Sequence, residues 1–299
     1  MKLYKLTLKD KKLFRYYLNL REHELSTYSF VNIYIWKELF TIRWTIIKDS
    51  LCVFFQDKIG CFLYLSPLAK NLNPSVIKAC FKIMDSFNKN KNFSRIENVE
   101  EKDLNFYKKL GYECKEKFPD YLCKREDLVQ LSGNKFKAKR ALFNYFIKNY
   151  FFQYLNYTLK YKKDCLKLYD YWMKTYKIKN KDPLYQSMLK DSRISLKVVL
   201  DNCHHLGLLG RIVKIDNQIK AFTFGYKLNP KIFCILYEIT DLSQKGLSQF
   251  IFRQFCLELK EYRYINIMDD SGLENLKKVK LSYRPVRLIP NFIVERKDV

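Results

Sequence analysis

One order of elements occurs twice along this chain, and that repetition limits what it can fold into. Apolar spacing marks helices over 11–20 and 30–39, then strand-like runs over 43–48, 51–56 and 60–65. A helix over 74–88, a strand over 96–99, a helix over 102–110 closed by Gly111 and a strand over 121–124 complete the first set. After a basic and aromatic connecting segment the order returns. Helices over 165–176 and 183–206 precede strands over 210–215, 221–226 and 233–240. A helix over 247–261, a strand over 264–268, a helix over 273–281 and a strand over 286–294 follow. Asp216-Asn217-Gln218 and Asn229-Pro230-Lys231 supply turn chemistry between the second set of strands. In 299 residues each copy has enough chain for its own core. The expected class is α+β, mainly antiparallel sheets with flanking helices, with domains at 1–130 and 131–299.

Composition narrows the partners. Lys and Arg number 56 against 31 Asp and Glu, a net charge of +25. Such a surplus attracts a polyanion, either nucleic acid or an anionic lipid surface, and makes binding fall with salt. A basic surface that is merely well solvated is the plainer reading. No apolar run reaches bilayer length: the richest, 143–159, is broken by Lys148, Gln153 and three asparagines. The sequence therefore reads as cytoplasmic, without a membrane span, with peripheral contact to an anionic membrane left open. Nine scattered cysteines show no C-x-x-C pair, the pattern of reduced structural thiols, and no metal site is expected. His204 and His205 beside Cys203 read as a helix terminus, because neighbours on a helix point in different directions.

The densest chemistry lies near the C-terminus. Tyr264-Ile265-Asn266-Ile267-Met268 ends in Asp269 and Asp270, Gly272 turns the chain, a short basic helix follows, and Pro285 ends it. The two carboxylates either orient a substrate ammonium or cap the helix beginning near Gly272. Lys277, Lys280 and Arg284 share one face if the helix persists that far, as a solvated row or as phosphate contacts. A second basic cluster, Gly133-Asn134-Lys135-Phe136-Lys137-Ala138-Lys139-Arg140, sets an aromatic ring among cations at a helix start, a pattern suited to a nucleotide. The aromatic run from Phe143 to Tyr161 reads as packing between domains, and its interleaved lysines would also suit a membrane interface. Glu238, flanked by Tyr237 and Ile239, is the candidate general base, since partial burial raises a carboxylate's proton affinity toward the useful range; an edge-facing or salt-bridged glutamate is the plainer reading.

The C-terminal segment resembles the C-terminal domain of phosphatidylglycerol lysyltransferases and their shorter soluble relatives, whose pattern is roughly N-R-E-E-D-x-G-x-x-G-L-R-K-A-K-x-S-Y-x-P. Asn266, Asp270, Gly272, Leu276, Lys278, Lys280, Ser282, Tyr283 and Pro285 match it; Ile267, Met268 and Asn275 depart from it. The cluster at Gly133–Arg140 is similar to that family's G-K-K-Y-H-K-K-R. The element order resembles that of Gcn5-related N-acyltransferases, so the resemblance implies two such units in tandem. In that architecture the acyl donor lies where the fourth and fifth strands part, here 235–240 and 264–270, so Glu238 and Asn266 are expected to face one cleft. Asp241 to Ser248 stands at the pyrophosphate loop of coenzyme-A-using relatives. Only Gly246 is in register there, which makes coenzyme A the less expected donor.

The leading reading is therefore transfer of an aminoacyl or acyl group from an activated ester, aminoacyl-tRNA by resemblance, to an amine or hydroxyl of a lipid or small molecule. Glu238, Asp269 and Asn266 are the catalytic candidates. Asp270, Tyr283 and Lys280 would bind substrate; Lys135, Lys139, Arg140, Lys245, Gly246 and Lys277 would hold phosphates of tRNA. Two alternatives stand beside it: a coenzyme-A-dependent N-acyltransferase, and a non-catalytic basic module for RNA or anionic lipid, which the departures at Ile267, Met268 and Asn275 favour, as does Ile239 in Glu238-Ile239-Thr240 where the family pattern is E-K-A. Fold alone does not choose among them.

Overall fold

The computed structural model describes residues 2–179 and 181–297. In chain order the elements are β1 (Tyr4–Lys5), α1 (Lys11–Leu18), α2 (Phe30–Tyr34), β2 (Thr41–Ile47), β3 (Ser50–Gln56), β4 (Cys61–Leu63), α3 (Pro74–Phe87), β5 (Ile96–Glu100), α4 (Leu104–Lys109) and β6 (Tyr112–Lys124). There follow α5 (Arg125–Gln130), α6 (Lys137–Asn149), β7 (Phe152–Asn156), α7 (Lys162–Lys179), α8 (Pro183–Leu206), β8 (Leu209–Ile215), β9 (Gln218–Lys227), β10 (Ile232–Thr240), α9 (Leu247–Glu258), β11 (Tyr264–Asn266), α10 (Glu274–Leu281) and β12 (Arg287–Arg296). They form two compact units. The first takes the chain up to Asp120, Asp269–Glu274 and the chain from Leu288 onward; the second takes Tyr121–Met268 and Asn275–Arg287.

In the first unit the strand order is β1-β2-β3-β4-β5-β12-β6. Lys48 and Asp49, both at positive φ, make the two-residue turn that sets β2 against β3 from Thr41↔Gln56 to Ile47↔Ser50. On α3, Pro74 occupies the first turn and the Asn73 side chain accepts from the Ser75 amide at 3.0 Å. Its apolar stripe, Val76, Ile77, Cys80, Phe81 and Met84, is buried against Cys52, Phe54, Leu63, Ile96 and Val99. The parallel strands β4 and β5 meet at Leu63↔Ile96. Past that point the gap is bridged: Asn98, at φ 52, donates from Nδ2 to the Tyr64 carbonyl at 3.0 Å.

In the second unit the order is β6-β11-β10-β9-β8-β7. Asp216 and Asn217, at φ 48 and 59, form the β8–β9 turn where the sequence places it. One core cluster gathers Tyr121, Phe233, Phe252, Phe255, Cys256, Ile265 and Tyr283. A second gathers Phe143, Phe146, Val213, Ala221, Leu247 and Phe250.

Three stretches differ from the sequence reading. The segment 131–161 is not a connector: it supplies α6 and the edge strand β7, which pairs antiparallel with β8 from Phe152↔Ile215 to Asn156↔Arg211. Phe143, Phe146, Tyr150, Phe152 and Tyr154 pack inside the second unit rather than between domains, with Phe146 within 5.0 Å of Phe152 and 4.8 Å of Phe250, while Tyr145 and Phe151 are exposed. Strand β6 begins nine residues before Tyr121, in a charged run carrying Pro119 that has little strand propensity of its own. Helix α2 stops at Tyr34, and tighter turns follow, with the Lys37 amide on the Tyr34 carbonyl and the Leu39 amide on that of Trp36, before Phe40 packs on Phe55 and Phe62 ahead of β2. All nine cysteines are free thiols. Among the described residues, no helix is long and apolar enough to cross a membrane.

Candidate active site

The second unit opens where its two parallel strands part. β10 pairs with β11 at Ile232↔Tyr264, Phe233↔Ile265 and Cys234↔Asn266, after which β11 ends and β10 runs on to Thr240. Three contacts turn the chain away at that point. The fully buried Asn266 accepts from the Met268 amide at 2.7 Å, with Met268 held at φ 61. The Ile267 amide donates to the Tyr121 carbonyl at 3.0 Å. Lys280, itself buried, donates from Nζ to the carbonyls of Ile267 and Met268. Meanwhile β10 slips register against β9 between Ile235 and Tyr237. Tyr237 then reaches α8, its hydroxyl donating to the Ser192 carbonyl at 2.9 Å and meeting Ser195 Oγ at 2.5 Å. Strand alternation sends the next side chain, Glu238, the other way.

Glu238 is the most unusual group in this unit. Its Oε2 is shut off from solvent and makes no hydrogen bond. Burial pushes its carboxyl up to about 8, against the opposing pull of the Lys139 charge. Lys139 comes from α6, with Nζ 3.5 Å from the centroid of the Tyr283 ring. Burial pulls the Lys139 ammonium down to about 8, and Glu238 holds it from falling further. Tyr283 packs against Phe252 at 4.2 Å with the ring planes tilted by 35°, and its phenol is raised well above its usual value by burial and by the Glu238 charge. An acid and an amine whose proton affinities meet near neutrality can pass a proton to and from a reacting group.

The other phosphate and substrate candidates divide by what already holds them. Phe136 is buried, so it cannot stack on a base. Arg140 donates to the carbonyls of Leu131 and Gly133, closing the end of α5. Lys135 lies 3.8 Å from Asp127, and Lys245 sits over the Tyr145 ring at 4.5 Å, yet both stay exposed, as does Lys277. Lys280 is drawn inward by the carbonyls of Ile267 and Met268 while Lys277 and Arg284 face water, and Arg284 lies past the end of α10 at Leu281, so the three do not form one exposed row. Gly246, at φ 84, heads α9 against α6: a side chain there would meet the Leu142 carbonyl oxygen at 2.1 Å. Asp269 and Asp270 belong to the first unit. Asp269 accepts from the Ser271 amide and hydroxyl at 2.7 and 3.0 Å; Asp270 accepts from the Gly272 amide at 2.9 Å. These bonds hold the turn ahead of α10.

The family model described as phosphatidylglycerol lysyltransferase, C-terminal, matches residues 18–295. The chain belongs to this family. A conserved protein of unknown function from Bacteroides thetaiotaomicron is similar over 99% of this chain and 100% of its own, at 26% identity and a TM-score of 0.88. The C-terminal domain of a lysylphosphatidylglycerol synthetase from Agrobacterium fabrum aligns over 97% of this chain and 92% of its own, at 10% identity and a TM-score of 0.65. A tandem GNAT protein from the clavulanic acid biosynthesis pathway covers 100% and 99%, at 8% identity and a TM-score of 0.50. These last two likenesses are of fold, and with the family they make the chain a tandem Gcn5-related acyltransferase fold. No curated protein matches the chain.

Within this family member, sequence spacing could not bring together Lys139, Glu238 and Tyr283, which lie on α6, on β10 and just past α10. Lys280 is a related case, legible only once its amine is seen on two carbonyls. Lys280→Met should cost about 2–3 kcal/mol, the worth of charge-assisted bonds to the carbonyls at the strand end, of which that of Met268 also accepts from the Tyr121 amide. Chemical denaturation checks this; unchanged stability would show that the strand end holds without the amine.

Proposed function

We propose that the second unit transfers an aminoacyl or acyl group from an activated ester to an amine or hydroxyl acceptor, with Glu238 as the proton acceptor. The observation that carries this reading is the buried, unpartnered Glu238 Oε2 on β10, just beyond the point where β10 and β11 part. The acceptor's nucleophilic atom attacks the ester carbonyl while its proton passes to the Glu238 carboxylate. The new bond to carbon forms, the carbon–oxygen bond to the donor breaks, and the protonated Glu238 returns the proton to the leaving oxygen. Backbone donors of β10 beyond Cys234, where pairing with β11 has ended, would hold the oxyanion. Lys139 stabilises the ionised Glu238 and so sets the pH at which the step runs.

Aminoacyl-tRNA is the donor that fits the family and the charge of the chain. Exposed Lys135, Lys245 and Lys277 are available to its phosphates. The loop after β10 supports this choice over coenzyme A, because of the close-approach glycines of a pyrophosphate loop only Gly246 is present, and it serves the packing of α9 on α6.

Binding of a mixed aminoacyl-tRNA pool at two salt concentrations tests the proposal, with deacylated tRNA and acetyl-coenzyme A as competitors. Charged tRNA should bind more tightly than deacylated tRNA and resist acetyl-coenzyme A. Equal binding that collapses with salt would favour a non-catalytic basic module, and displacement by acetyl-coenzyme A would move the donor to the thioester.

A further inference from the structure

We infer that the corner between α6 and β7 docks on an anionic lipid surface. From Leu128 to Lys163 the chain carries eight Lys and Arg and no Asp or Glu, against 31 acidic residues in the whole chain. Helix α6 lies inside this stretch and is apolar on more than one side. Its inner side, Phe143 and Phe146, is buried against α9, and the Tyr150 ring closes over Phe146 at 5.0 Å. Its two remaining flanks each leave an apolar side chain exposed: Ile147 with Lys148 next to it on one, and Tyr145, with Lys245 over its ring, on the other.

At the turn into β7, Phe151 is 97% exposed. Strand alternation explains why: Phe152 turns inward onto Phe146 and Phe250, at 5.0 and 4.5 Å, which leaves Phe151 pointing out. Ile215, the partner of Phe152, is flanked by Lys214 and Asp216, whose charges cancel. A wholly exposed phenylalanine and an exposed isoleucine beside lysines, in a stretch without acids, suit the boundary between headgroups and acyl chains. There the rings and aliphatic groups leave water while the ammonium groups reach lipid phosphates. The aliphatic Ile147 decides between lipid and RNA, since it offers no face for base stacking.

Flotation of the full chain with phosphatidylcholine vesicles, with and without phosphatidylserine, tests the inference. Phosphatidylserine is used so that binding reads surface charge and not recognition of an acceptor. The protein should float only with the anionic vesicles. Phe151→Glu combined with Ile147→Glu should weaken that binding at least about tenfold, with thermal unfolding unchanged because both side chains lie outside the core. Phe151→Ser, which adds no charge, should show a smaller loss in the same direction. Ile178→Glu with Leu184→Glu, at two other exposed aliphatic positions of the same unit, should leave vesicle binding intact. Equal flotation of the first double variant and the wild type overturns the inference, as does an equal loss in both double variants. So does a loss of tRNA binding by Phe151→Ser without a loss of vesicle binding.

Discussion

Replacing Glu238 with glutamine is expected to slow acyl transfer by about 10²–10⁴-fold while raising the thermal stability of the protein. Both effects have one cause. Oε2 of the partly buried Glu238 is shut off from solvent without a hydrogen bond, and this desolvation lifts the carboxyl's proton affinity from 4.5 to about 8. The folded state therefore keeps a proton that the unfolded chain releases. Stability falls as pH rises from the unfolded value near 4.5 through about 8, by at most roughly 5 kcal/mol at about 1.4 kcal/mol for each tenfold in proton affinity. Glutamine has the same shape and does not titrate, so the variant loses this dependence. Part of the gain is offset by burying its amide.

Lys139 acts in the adjoining window. Its folded value lies at about 8, below the ordinary 10.5, so the unfolded chain holds a proton there that the folded chain has lost. Stability recovers as pH rises from about 8 toward 10.5. The wild type should thus show a stability minimum near pH 8, and the variant should lose its acid limb. Transfer by the wild type should rise with pH through about 8, as Glu238 ionises and can accept a proton. Thermal melts across pH, beside single-turnover rates, separate the possibilities. An unchanged rate would remove Glu238 from the chemistry, and a lower melting temperature at pH 7 would mean that its carboxyl stabilises the fold.

Gly246→Ala should be the most damaging small substitution in the second unit. Two penalties coincide at this position. The backbone is at φ 84, which costs a residue with a Cβ roughly 1 kcal/mol or more, and the Cβ would stand 2.1 Å from the Leu142 carbonyl oxygen. That neighbour is main chain and cannot rotate away, so α6 must move off α9 and expose Phe146 and Phe250. Together the loss should reach about 2–4 kcal/mol, or a drop in melting temperature of roughly 5–15 °C for a unit of this size. Gly133→Ala is the matched control: it has φ 77 but open space around it, and should lose only the conformational part. Similar losses in the two variants would show that α6 is not packed against Gly246 as tightly as described.

The sequence by itself determined the repeated order of elements, because amphipathic spacing and turn residues are local and each unit shows them independently. It also singled out Glu238, a carboxylate amid apolar neighbours on a strand. It could not tell that this carboxylate would be left without a hydrogen bond at Oε2, since partners come from helices distant in sequence. The same limit applies to the basic cluster at 133–140. A row of cations reads as one surface, yet the fold commits Lys139 to Glu238 and Arg140 to two carbonyls, leaving Lys135 outside. Lys280 repeats the lesson, reading as one of a solvated row until the strand end at Ile267 and Met268 takes up its amine. The first nine residues of β6 and all of β7 were hidden for a related reason, since a strand with weak propensity is made by the neighbour that pairs with it. Spacing along the chain fixes which way a side chain leaves its own element; what it meets there is decided by elements that the chain brings back from elsewhere.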